Sequence, residues 1–178
     1  MRTQVVTGTG SASARLMFTG EAPGKQEDLT GVGFQGSSGK IFDEVLAYLG
    51  LTRDDIWLNN AVRCRPTETG QKNRTPLPIE VEACRPWLMA DLARVRPVIM
   101  VTLGKTAFYA VTGEPDFAQY RGRLYPADPP VFPLAHPAYL IYRRAALGAY
   151  RDDLDQLRDL LTTWNIPLNP PRPSRFSS

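Results

Sequence analysis

Histidine and cysteine are nearly absent from this chain: of 178 residues, one is histidine and two are cysteine. Two cysteines cannot make the disulfide framework of a small secreted domain, so a reducing, cytoplasmic setting is the expectation. No apolar run reaches membrane-spanning length, and the first residues lack the apolar core of a signal peptide. A strong charge of either sign is also lacking. The net charge is +3 and the pI about 9.0, mildly basic values that suit a polyanionic partner without establishing one. What is present is an ordinary globular composition, 43% apolar and 22% charged, on a chain long enough to bury one full core.

Short apolar runs alternate with helical patterns. Arg15–Gly20, Ile56–Asn60, Pro97–Leu103 and Val131–Ala135 read as strands, the third being a continuous apolar run of the fully buried kind. Between them lie helices from Ser38 or Gly39 to Leu49, from Pro78 to Arg94, and from Gly104 to Val111. In the second, Val81, Cys84, Leu88, Leu92 and Val95 form an apolar stripe that makes Cys84 readable as a core residue. A last helix repeats Leu147, Tyr150, Leu154, Leu157, Leu161 and Trp164 at spacings of three and four. The pattern predicts a three-layer α/β/α domain over residues 1–165 around a four-stranded, mainly parallel sheet. Residues 166–178, rich in proline and arginine, read as a disordered basic tail.

Two segments stand at predicted strand ends. Gly20-Glu21-Ala22-Pro23-Gly24 follows the first strand, and His136-Pro137-Ala138-Tyr139-Leu140 follows the fourth. Ligands bind at the carboxyl edge of open α/β sheets, so these loops are expected to form two halves of one site. Taken singly, His136 could cap a turn, Phe34 could belong to the core and Asn60 could end a strand.

Further blocks share this order: Glu27-Asp28, Gly33-Phe34-Gln35-Gly36-Ser37-Ser38-Gly39, Asn60 through Pro66, Asn73-Arg74-Thr75-Pro76, and Thr102 through Ala107. Together with the two loops they resemble the uracil-DNA glycosylase superfamily, and within it family 4. The resemblance implies excision of uracil from single- or double-stranded DNA by a monomer, leaving an abasic site. It implies that Phe34 stacks on the extruded base, Asn60 reads its edge, and backbone groups at Gly20, Ala22 and Gly24 hold base and water. His136 would donate to uracil O2 as the glycosidic bond breaks. Ala22 stands where the best-known branch has an aspartate, which leaves Glu21, with Asp28 behind it, as the water-holding carboxylate. Ser37, Ser38, Lys105 and Arg143 would contact DNA, and Leu140 would fill the gap left by the flipped base. Lys40, Arg63, Arg65, Lys72, Arg74, Arg121, Arg123 and Arg144 are candidates for a phosphate-contacting rim.

Family 4 members usually hold a [4Fe–4S] cluster on four cysteines. Cys64 and Cys84 match the later pair, while Arg2 through Val6 resemble the stretch that normally follows the earlier one. Half a ligand set cannot carry such a cluster in the usual way, so no cofactor is expected unless missing ligands are supplied, and the Cys64–Cys84 loop is expected to be loosely held. Two rival readings follow: a DNA-binding homologue with little or no glycosylase activity, or specificity for another deaminated base.

Overall fold

Runs of apolar residues too short for a helix become the strands of one sheet. The computed structural model describes residues 3–177. In chain order the strands are β1 (Thr9–Gly10), β2 (Leu16–Gly20), β3 (Ile56–Asn60), β4 (Ile99–Leu103) and β5 (Val131–Leu134). They lie in the order β1-β3-β2-β4-β5, with β1 antiparallel to β3 and the others parallel. The sheet is therefore five-stranded, not four-stranded. The added strand is two residues long and exposed, so it carries no apolar signal.

Every residue of β2 through β5 is buried, as a sheet covered on both faces requires. The helices are α1 (Lys25–Thr30), α2 (Ser37–Leu49), α3 (Pro78–Val95), α4 (Lys105–Thr112), α5 (Phe117–Tyr120), α6 (Tyr139–Tyr142) and α7 (Leu147–Thr163). Strand alternation sorts the side chains. Leu16, Phe18, Val101 and Phe132 pack with Phe42 and Val45 of α2 and Leu154 and Leu157 of α7. Met17, Trp57, Met100 and Val131 face Val95 of α3 and Phe108 of α4. That is the three-layer arrangement. None of the described helices is long and apolar enough to cross a membrane.

Residues 166–177 of the basic tail lie against the domain. Asn169 N–H donates to Gly50 O at 2.8 Å, Arg172 Nη2 to Leu51 O at 2.8 Å, and Arg175 pairs with Glu44 at 2.7 Å. Phe176, 1% exposed, stacks on Tyr150 with ring centroids 5.7 Å apart. One aromatic anchor and a few backbone bonds hold a segment whose composition alone argues for disorder.

Candidate active site

The carboxyl ends of β2, β3 and β5 converge on a cavity of about 490 Å³. Glu21, Ala22, Gly24, Phe34, Ser37, Ser38, Asn60 and His136 all line it, so most of the residues singled out in the sequence come together.

Strand pairing sets the centre. Gly20 ends β2 opposite Asn60 at the end of β3. A Cβ at Gly20 would lie 2.5 Å from both Asn60 Oδ1 and Phe34 Cζ, so only glycine lets backbone, amide and ring meet here. Asn60 is 7% exposed, and its side-chain amide has no protein partner among the described residues. The preceding Asn59 points to the opposite face. There it accepts from Thr19 Oγ1 at 2.8 Å and donates to Asp91 at 2.9 Å, and Asp91 also pairs with Arg63 at 2.9 Å.

Phe34 packs on Phe42, ring centroids 4.9 Å apart, and has φ 57°, a left-handed conformation costly for a bulky residue. Arg53, itself paired with Asp43 at 2.7 Å, fixes this backbone by donating to Phe34 O at 2.7 Å. Gly39 lies so close that a Cβ would sit 2.0 Å from Phe34 O. Arg53 lies between two motif blocks but belongs to neither, and nothing in its neighbours marks it out.

His136 sits just beyond β5, against Gly104 at the start of α4, where a Cβ would come within 3.2 Å of the His136 Cβ. Ala138 N–H donates to His136 Nδ1 at 3.2 Å. That bond makes Nδ1 an acceptor, so the neutral ring carries its proton on Nε2. Burial holds the imidazole below its usual 6.5, and the Glu21 carboxylate opposes the shift without reversing it. The ring is thus a neutral Nε2–H donor at neutral pH. An activity that relies on this donor is expected to stay level from neutral pH down past 6.5 and to fall only below it. The unfolded ring takes a proton first, so the stability tied to the neutral form is complete above 6.5 and lost on further acidification. A rate profile that breaks at or above 6.5 would contradict this assignment.

Glu21, which lines the cavity, accepts at Oε2 from Thr106 Oγ1 of α4 at 2.8 Å, which fixes one carboxylate oxygen. Thr106 lay inside a motif block without a role; the bond explains it. Asp28 makes no hydrogen bond to Glu21 among the described residues. Its carboxylate accepts from the backbone N–H groups of Thr3 at 2.8 Å and Gln4 at 3.2 Å, tying down the start of the chain. Burial works against its charge, but these bonds prevail and hold Asp28 below the usual carboxylate range.

The remaining candidate residues fall in different places. Leu140 is 4% exposed and belongs to the main core, because the single turn of α6 directs it inward. The side chains free at the cavity lip are Ile141 and Tyr142, the latter 83% exposed. Lys105 and Arg143 are exposed but do not line the cavity. Several basic candidates are used internally. Arg63 pairs with Asp91, Arg74 with Glu80 at 2.7 Å and Arg121 with Asp153 at 3.3 Å. Buried Arg65 donates to Asn73 Oδ1 and to the carbonyls of Gly70 and Gln71. This guanidinium fastens the loop between the cysteines, which was expected to be loose. Lys40, Lys72, Lys105, Arg123, Arg143 and Arg144 are exposed and carry no ion pair among the described residues.

The donor set does not fit a four-thiolate cluster. Cys64 and Cys84 are half-buried, and Cys84 packs beside Val81 and Leu88. No three His, Cys, Asp or Glu side chains gather into a metal-binding group among the described residues.

A parallel α/β sheet with a cavity at its carboxyl edge, an aromatic wall, a free amide and an imidazole donor defines a class of nucleobase-handling proteins. A model of the uracil DNA glycosylase superfamily matches residues 7–161, and the chain belongs to that family. It is 34% identical over 169 residues to a type-4 uracil-DNA glycosylase of Archaeoglobus fulgidus, covering 89% of this chain and 83% of the relative. A type-4 uracil-DNA glycosylase of Thermotoga maritima is 38% identical over 150 residues, 81% of this chain and 75% of the relative. That of Sulfurisphaera tokodaii is 35% identical over 173 residues, 91% and 77% respectively.

Proposed function

We propose that this protein is a DNA-repair hydrolase that cleaves the N-glycosidic bond of uracil in DNA and leaves an abasic site. One observation carries the reading: an unpartnered Asn60 amide and the Nε2–H of His136 face the same cavity, walled by Phe34. A base must leave the duplex to reach such a site. Phe34 then stacks on it, and Asn60 pairs with the O4 and N3–H edge that distinguishes uracil from cytosine. As the bond from C1′ to N1 breaks, its electron pair passes to the base, and His136 donates a hydrogen bond to the growing charge on O2. A water held by Glu21 supplies the hydroxyl that ends on C1′, and its proton leaves through the carboxylate. The start of α2 at Ser37 and Ser38 offers free backbone amides to a phosphate. Tyr142 and Ile141 at the lip, rather than Leu140, fill the space vacated by the base.

The test is excision from a uracil-containing oligonucleotide, single- and double-stranded, by the wild-type chain and by Asn60→Asp. The wild type should cleave uracil and leave cytosine. The variant replaces an amide donor with a charge facing O4. Leaving such a group unmatched costs about 1–3 kcal/mol, so preference for uracil should drop roughly five- to hundred-fold, with a smaller loss of DNA affinity. An unchanged preference in direct competition would remove Asn60 as the reader.

A further inference from the structure

Two carboxylates line the cavity, and the second, Glu27, has no part in the chemistry above. It is 8% exposed and engages three backbone amides. Oε1 accepts from Gln35 N–H and Gly36 N–H, each at 2.8 Å, and Oε2 accepts from Gly24 N–H at 3.0 Å. The Gly24 bond alone could be a local device, since Glu27 stands at the third position of the short helix α1 and closes back on its cap. The bonds to Gln35 and Gly36 satisfy no end of α1. They reach the segment that directly follows Phe34.

We infer that Glu27 is a positioning residue for base excision, a single carboxylate that fixes the distance between the Phe34 loop and the Gly20–Gly24 loop. The inference rests on the excision reading and deepens it. Phe34 forms one wall of the cavity, and the other loop carries Glu21 and the backbone that borders Asn60. Their separation is the width of the slot that receives a planar base. Gly24 lets the carboxylate approach: a Cβ there would lie 2.8 Å from Oε2, whereas one at Gly36 would make an ordinary contact, 3.4 Å from Oε1. Three N–H dipoles converge on one buried anion, which holds both loops with a single rigid group. Positioning of this kind acts on the reacting geometry more than on DNA affinity.

Two substitutions separate spacing from charge. Glu27→Gln keeps the length. Its one carbonyl oxygen best serves the two amides at Gln35 and Gly36, which turns its NH₂ toward Gly24 N–H, donor against donor. Glu27→Asp keeps the charge but is one methylene too short to span both loops. In single-turnover excision on a uracil-containing oligonucleotide, both variants should lose at least ten-fold in maximal rate. The half-saturating enzyme concentration should stay within two-fold. Amide hydrogen exchange at Gly24 should quicken at least ten-fold in Glu27→Gln, with Gly36 still protected. A Glu27→Asp variant as fast as wild type, a loss confined to half-saturation, or unchanged exchange at Gly24 would overturn the inference. Should the wild-type chain leave uracil-containing DNA intact, the excision reading fails, and exchange at Gly24 still decides whether Glu27 joins the loops.

Discussion

Replacing His136 with alanine is expected to slow uracil excision by roughly a hundred- to thousand-fold, about 3–4 kcal/mol of transition-state stabilisation, while the fold persists. The donor acts where charge develops, in a cavity where surrounding protein replaces water. Its ring lines the open cavity and bonds the backbone only through Nδ1 from Ala138, so removal breaks one bond and widens an existing cavity. Single-turnover rates on a uracil-containing strand, beside thermal melts, measure both halves of the expectation. A variant within about three-fold of wild type would show that another group carries the departing base's charge.

The second large effect concerns stability. Phe176→Ala is expected to cost about 3–5 kcal/mol, the usual range for emptying a fully buried phenylalanine site. In a chain of this size that lowers Tm by roughly 10 °C or more. The ring packs against Tyr48 and Tyr150, and Tyr150 belongs to the main core, so its loss leaves a cavity between α2 and α7. The cavity at the sheet edge is lined by none of these residues, so excision by the folded variant should be close to normal at low temperature. A melting temperature within about a degree of wild type would mean that the tail contributes nothing.

These two residues mark how far the sequence could be read. His136 was legible because a lone histidine after an apolar run sits where an α/β sheet places ligands. Phe176 was not, because proline-rich chain has no periodicity, and one aromatic gives no pattern. The same contrast runs through the site. Phe34, Asn60 and Gly20 lie in loops with recognisable residue types. The groups that aim them, Arg53 and Thr106, act through one or two bonds to residues distant in sequence, which no local pattern encodes. Leu140 shows the opposite failure. Its motif position suggested DNA, but one turn of helix decides which neighbours face inward, and α6 turns Leu140 to the core and Tyr142 to solvent. Strand β1 escaped notice because two exposed residues carry no burial signal.

The consecutive asparagines at the end of β3 have an unusual genetic consequence. Asn59 and Asn60 are the same amino acid, adjacent in the gene and buried to similar degrees, at 4% and 7% exposure. Strand alternation commits one to a Thr19–Asp91 network and the other to an open cavity. Identical changes at neighbouring codons should therefore yield opposite phenotypes. Alanine at the first would give a protein scarce in cells but competent molecule for molecule, and alanine at the second one abundant but idle. A screen that scores only surviving repair in cells would count the two as alike, whereas measuring abundance beside activity would part them.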